Sequence, residues 1–141
     1  MSGSIFNRFN RFVADLANGV HNLGSHQLRV MLTNTAPVAT NGLRADITEI
    51  AAAGGYTAGG FAVTVTSSEQ TGGVHKLIAD DIVVTPSAPG FGPFRYAVLY
   101  NDTAANDPLI GWWDRGSSAS AAPPDTFTVD LSATNGVLQI T

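Results

Sequence analysis

The chain has 141 residues, 44% of them hydrophobic and only 13% charged, with no cysteine and a formal net charge of −4. That length suits one domain with a core of its own, and the share of charge is about half of the roughly 25% usual for soluble domains. The missing cysteine excludes disulfides, thiol catalysis and thiolate metal sites, while the acidic balance argues against a nucleic-acid-binding face.

The first residues carry a helical period. Over Ser4–Asn18, Ile5, Phe9, Phe12 and Leu16 recur on one face, with Phe6 and Val13 beside them. Ser4 is placed to cap this helix and Gly19 to end it. The stripe of phenylalanines either packs on its own domain or forms an arm that docks on a neighbouring subunit. Residues 1–26 are therefore read as an N-terminal helical arm and 27–141 as a separate β domain. The stretch Met1–Val30 is also the basic part of the chain. Arg8, Arg11 and Arg29 precede Met31 with Asp15 as their one acid, leaving four of the seven basic and ten of the eleven acidic residues downstream. No stretch has the continuous apolar character of a leader or the length of about 20 residues needed for a membrane span.

Beyond the turn His21–Ser25, Gln27–Thr33 alternates with Leu28, Val30 and Leu32 on one side, a strand signature. Ala45–Ala53 is ambiguous between a single helical turn and an extended edge, because Asp46 and Glu49 resemble a capping box that Gly54-Gly55 cuts short. The segment GGYTAGG (Gly54–Gly60) has no following Lys-Ser/Thr and leads into a strand, so it is read as a flexible connection and not a phosphate loop. Phe61–Thr66, Val74–Ala79 and Ile82–Thr85 read as strands separated by turns.

Gly92–Gly116 holds both tryptophans and two dense apolar runs. It is expected to form a central hairpin covered on both faces. Strict alternation would group Phe94, Tyr96, Val98 and Tyr100 on one face, and Leu109, Gly111 and Trp113 against Ile110 and Trp112 on the partner strand. Gly116–Pro124 reads as a small-residue linker, and Asp125–Leu131 and Gly136–Thr141 as closing strands. The expected fold is all-β, an antiparallel sandwich or barrel of about seven or eight short strands.

The search for chemistry returns none. His21, His26 and His75 lack metal-ligand spacing. Asp114 beside Trp112 and Trp113 imitates a sugar cleft, but consecutive strand residues face opposite ways. No GxSxG elbow occurs, and Asn101-Asp102-Thr103 matches a glycosylation acceptor only by pattern. No catalytic residue, cofactor or metal is expected.

Two runs, TNTAPVATNGLRADITEIAAAGGYTAGG (Thr33–Gly60) and GPFRYAVLYNDTAANDPLIGWWDRG (Gly92–Gly116), together with the FTVD and GVL segments near the end, resemble a family of small virion proteins of tailed bacteriophages. The resemblance spans roughly Gln27 to Thr141. It departs at the front, where the helical stretch is longer than that family's head. It implies a capsid decoration (cement) protein on the outer head surface, assembled as a trimer or similar homo-oligomer and bound to the major capsid protein, without nucleic acid or membrane. Phe6, Arg8, Phe9 and Phe12, with Arg11 as a weaker choice, are the expected contacts in the arm, and Tyr56 in the glycine-rich loop. The alternatives are a receptor- or glycan-binding module using Trp112 or Trp113, and a tail or connector component.

Overall fold

The computed structural model describes residues 5–131 and 136–141. Its longest ladder joins β7 (Phe91–Asn101) to β8 (Leu109–Ala121), the hairpin expected at the centre. β7 is flanked by β2 (Leu28–Thr33), and β2 by the two-residue β3 (Phe61–Ala62). On the other side β8 takes up β1 (Phe6–Arg8), so the five-stranded sheet runs β1-β8-β7-β2-β3. A second sheet has the order β10-β5-β4, from Leu138–Ile140, Val74–Ala79 and Val65–Thr71; a third pairs β6 (Ile82–Val84) with β9 (Phe127–Val129). Every ladder is antiparallel.

The fold is all-β, and one core explains its layering. Leu28, Val30 and Leu32 of β2, Ala97 and Leu99 of β7, and Trp113 of β8 share a buried cluster with Leu77, Ala79, Val129 and Leu138 from the two smaller sheets. The large sheet thus packs its inner face on the other two, the arrangement of a sandwich. Among the described residues the strands number ten, more than the turn signals suggested, because several are only two or three residues long.

Both faces of the hairpin are covered, but strict alternation assigns its side chains wrongly. The register slips between Phe94 and Tyr96, so Phe94 joins Ala97 and Leu99 in the main core instead of following Val98 and Tyr100. A second slip pairs Leu99 with Gly111 but Tyr100 with Leu109, leaving Ile110 as an extra residue on β8. Leu109 then falls beside Trp112 on the outer face, while Ile110 and Trp113 turn inward. Each bulge inverts the facing of whatever lies beyond it. The outer cluster of Phe9, Met31, Val98, Tyr100 and Leu109 is capped by Ile47 and Trp112.

The head of the chain also departs from expectation. Phe6–Arg8 is a strand and only Asn10–Ala17 (α1) is helical, with Phe9 extended between them. Phenylalanines that fit a helical stripe fit a short strand equally well, and here β8 offers an open edge with Gly111 opposite Arg8. The Phe6 ring occupies the space a Cβ on Gly111 would fill and lies 5.1 Å from the Trp113 ring. Ser4, expected as a helix cap, lies outside the described residues. The arm is therefore part of the main sheet, not a separate unit ending at residue 26. Gly116–Ala121, read as a linker, instead extends β8, and Phe61–Thr66 is interrupted after Ala62.

Candidate functional site

The two runs that carry the phage resemblance meet in space. Leu43 bridges to Pro108, the Arg44 N–H donates to the Asp107 carbonyl at 3.0 Å, and the Leu109 N–H donates to the Gly42 carbonyl at 2.9 Å. Arg44 sits in a short 3-10 turn (Arg44–Asp46), the helical turn left open by the sequence. Its guanidinium reaches Glu49 at 3.3 Å and Asp107 at 3.5 Å, and lies 5.5 Å from the centre of the Tyr100 ring. A cleft opens here between Leu43, Arg44, Ile47, Glu49, Asn106 and Asp107.

Glu49 is the hub behind that cleft. Its carboxylate accepts the Tyr56 hydroxyl at 2.5 Å and the Gly59 N–H at 2.7 Å, besides Arg44. The Tyr56 oxygen in turn accepts the Leu32 N–H at 3.0 Å, tying the loop to β2. Tyr100 donates to the Gly59 carbonyl at 2.6 Å, and Arg29 donates to the carbonyls of Gly59 and Gly60 at 3.3 and 2.7 Å. Burial, and then the neighbouring Glu49, pushes the Tyr56 phenol well above its ordinary value; burial also raises Tyr100. The glycine-rich loop is consequently pinned, which corrects its reading as a flexible connection. Its glycines serve close approach: Gly60, at φ +79°, lies so near β2 that a Cβ would overlap the Val30 carbonyl.

This arrangement braces the structure. Arg44 is balanced by two carboxylates, and both phenols are engaged as donors. Among the described residues no group of three or more His, Asp or Glu side chains is placed to hold a metal ion.

The expected contact residues divide sharply. Phe9 and Phe12 are fully or almost fully buried in their own domain, the Phe9 ring tilted against Trp112 with centres 4.5 Å apart and the Phe12 ring tilted against His21 at 5.4 Å. Tyr56 is buried in the hub just described. Their expected role as partner contacts is corrected on that ground, since these side chains are already spent on the chain's own core. Phe6 is half-buried against Trp113. Arg8 is exposed, whereas Arg11 is paired at 2.7 Å with the buried Asp15. Trp113, at 6% exposure, is withdrawn as a sugar platform, and Trp112, half-buried on the opposite face, lies over Phe9. Asn101, matched as a glycosylation acceptor, is fully buried.

Sequence reasoning missed what does lie at the surface. Among the described residues the exposed large apolar side chains are Ile5 (78%), Val13 (50%), Val38 (53%) and Val83. Ile5 and Val13 belong to the head. Val38 lies in the loop strapped to it by the Asn10 N–H donating to the Ala39 carbonyl at 2.9 Å. Exposure of Val13 follows from the shortened helix, whose inner face is set by Phe12 and Asp15. Compared with protein-family models, curated proteins and solved structures, the chain matches none.

Proposed function

We propose that this chain is a virion structural protein of the tailed-phage type, a capsid decoration protein that binds the outer head surface and closes contacts between major capsid subunits. The observation that carries the reading is the resemblance of Thr33–Gly60 and Gly92–Gly116 to that class, two distant runs that here form one braced unit. The head surface supplies the contact: Ile5, Val13 and Val38 with the exposed Arg8, in place of the phenylalanines. Binding there buries apolar area at about 25 cal/mol per Å² against the cost of association, and Arg8 suits an acidic rim on the partner. A homo-oligomer, a trimer by the family resemblance, belongs to the same proposal.

The test is co-sedimentation of the full chain with tailed-phage heads stripped of decoration protein. Binding that is lost in a Val13→Asp/Val38→Asp double variant, with folding retained, supports the reading. A chain that stays in the supernatant refutes it.

A further inference from the structure

Asn101 closes β7 fully buried, and the bonds of its amide leave no freedom of orientation. Its Oδ1 accepts the backbone N–H groups of Thr103 at 3.0 Å and Ala104 at 3.1 Å. Turned over, the amide would set its own hydrogens against those two donors. Its Nδ2 therefore faces the Nδ1 atoms of His21 at 3.0 Å and His26 at 2.9 Å. An amide nitrogen has two hydrogens to give and accepts none, so both imidazoles must accept at Nδ1 and carry their proton at Nε2. His26 Nδ1 also receives the Asn22 N–H at 3.2 Å. His21 is 5% exposed, and its Nε2, thereby an N–H donor, is buried without a hydrogen-bond partner among the described residues.

We propose that this corner is an acid-sensitive latch: neutral His21 and His26 hold the turn His21–Gln27 to the end of β7, and a proton on Nδ1 of His21 opens it. Protonated, His21 would oppose donor to donor at Asn101 and place a charge beside an N–H that is already orphaned. Several groups surround the ring. α1 contributes Asp15 and Arg11, paired with each other, and the Phe12 ring. His26 stands across Asn101, with Asp102 next in the chain. The cleft beside His21 is walled on its far side by His75 of β5, which is bonded to Ser68 at 2.9 Å. Burial holds His21 below its ordinary 6.5; Asp15 works against that, and His26 and Arg11 add to it. A depressed histidine leaves the folded state short of a proton that the unfolded chain takes up near 6.5. The latch is thus fully stabilising above that pH and weakens as pH falls through it. Opening would loosen the segment that leads into β2, leaving it tied at Gln27 by the Asp102 N–H to the Gln27 carbonyl at 2.9 Å, the Gln27 N–H to Thr103 Oγ1 at 2.8 Å and the Gln27 amide to the Val63 carbonyl at 3.0 Å.

The test pairs ring-nitrogen NMR of the full chain, from about pH 7.5 to about pH 5, with urea unfolding of the wild type and His21→Asn. Asparagine sets an amide oxygen near the former Nδ1 and does not titrate. The Nε2–H tautomer is expected at both His21 and His26 in the neutral protein. The unfolding constant of the wild type should grow relative to His21→Asn by up to about tenfold per pH unit below the ordinary histidine value. An Nδ1–H tautomer at His21, ordinary titration of His21 in the folded protein, or equal pH slopes for the two chains would overturn the latch. Should His21→Asn not fold, the tautomer and titration of the wild-type ring decide alone.

Discussion

Two polar clusters lie against the same large sheet, and they differ in whether their hydrogen bonds close. At the Glu49 hub no buried side-chain donor is left over among the described residues: Tyr56, Gly59 and Arg44 converge on one carboxylate, and the Leu32 N–H ends on the Tyr56 oxygen. At Asn101 two imidazoles and one amide leave a donor over, the Nε2–H of His21. A closed network in a low-dielectric site fixes one geometry, whereas an open one holds only in one protonation state. The glycine-rich loop, flexible by composition, is the rigid partner of the two. The histidine turn, unremarkable by composition, is the conditional one.

The comparison can be broken most severely at the closed hub. Gly60→Ala adds a Cβ where the Val30 carbonyl stands, at a φ that L residues rarely adopt. A loss of at least about 3 kcal/mol is expected from strain and overlap together, read by urea unfolding. Phe9→Ala, within the outer cluster that also holds Tyr100, should cost about 3–5 kcal/mol, because the ring has no exposed surface. Tyr56→Phe leaves the Leu32 N–H without its partner and takes a donor from Glu49, for about 1–3 kcal/mol.

The hub's pH response has the opposite sense to the latch. A phenol raised above its ordinary 10.0 stabilises fully below that pH. The contribution is lost as pH rises past it, since only the unfolded chain ionises there. Ultraviolet titration should therefore show tyrosine that ionises only with unfolding, and Tyr56→Phe should reduce that signal, leaving the share of Tyr100, which burial also raises. The smallest effect is expected at Arg95→Ala. Arg95 meets Asp114 at 2.8 and 3.1 Å, yet both side chains are 39% exposed. Water and salt screen such a pair, and no resolvable change in the urea midpoint is expected at physiological salt.

Much of the fold is legible in the sequence because alternation is local. Leu28, Val30 and Leu32 point inward as their spacing requires, Val74–Ala79 is a strand over its whole expected length, and the Pro93–Trp113 hairpin is central. What fails is whatever depends on a distant partner. Phe6 is strand because β8 has an edge and a glycine to receive it. Phe94 and Ile110 change sides because bulges reset the pleat, and GSSASA continues β8 because β7 runs alongside as far as the Phe91–Ala121 pair. The surface suffers in the same way. Phe9, Phe12 and Tyr56 have the composition of contact residues, but burial claims them, leaving Ile5, Val13 and Val38 outside. The Glu49 hub and the Asn101 corner join residues far apart in sequence, and no spacing rule reaches that far.

The proposed role is to lay the chain's apolar head surface on a capsid. Sedimentation with undecorated tailed-phage heads measures this directly, using the wild type beside Val13→Asp/Val38→Asp and with the folding of both checked by urea unfolding. The account predicts that the wild type pellets with the heads while the equally stable double variant remains in solution. A wild type that never pellets, or a double variant that pellets as well as the wild type, would contradict it.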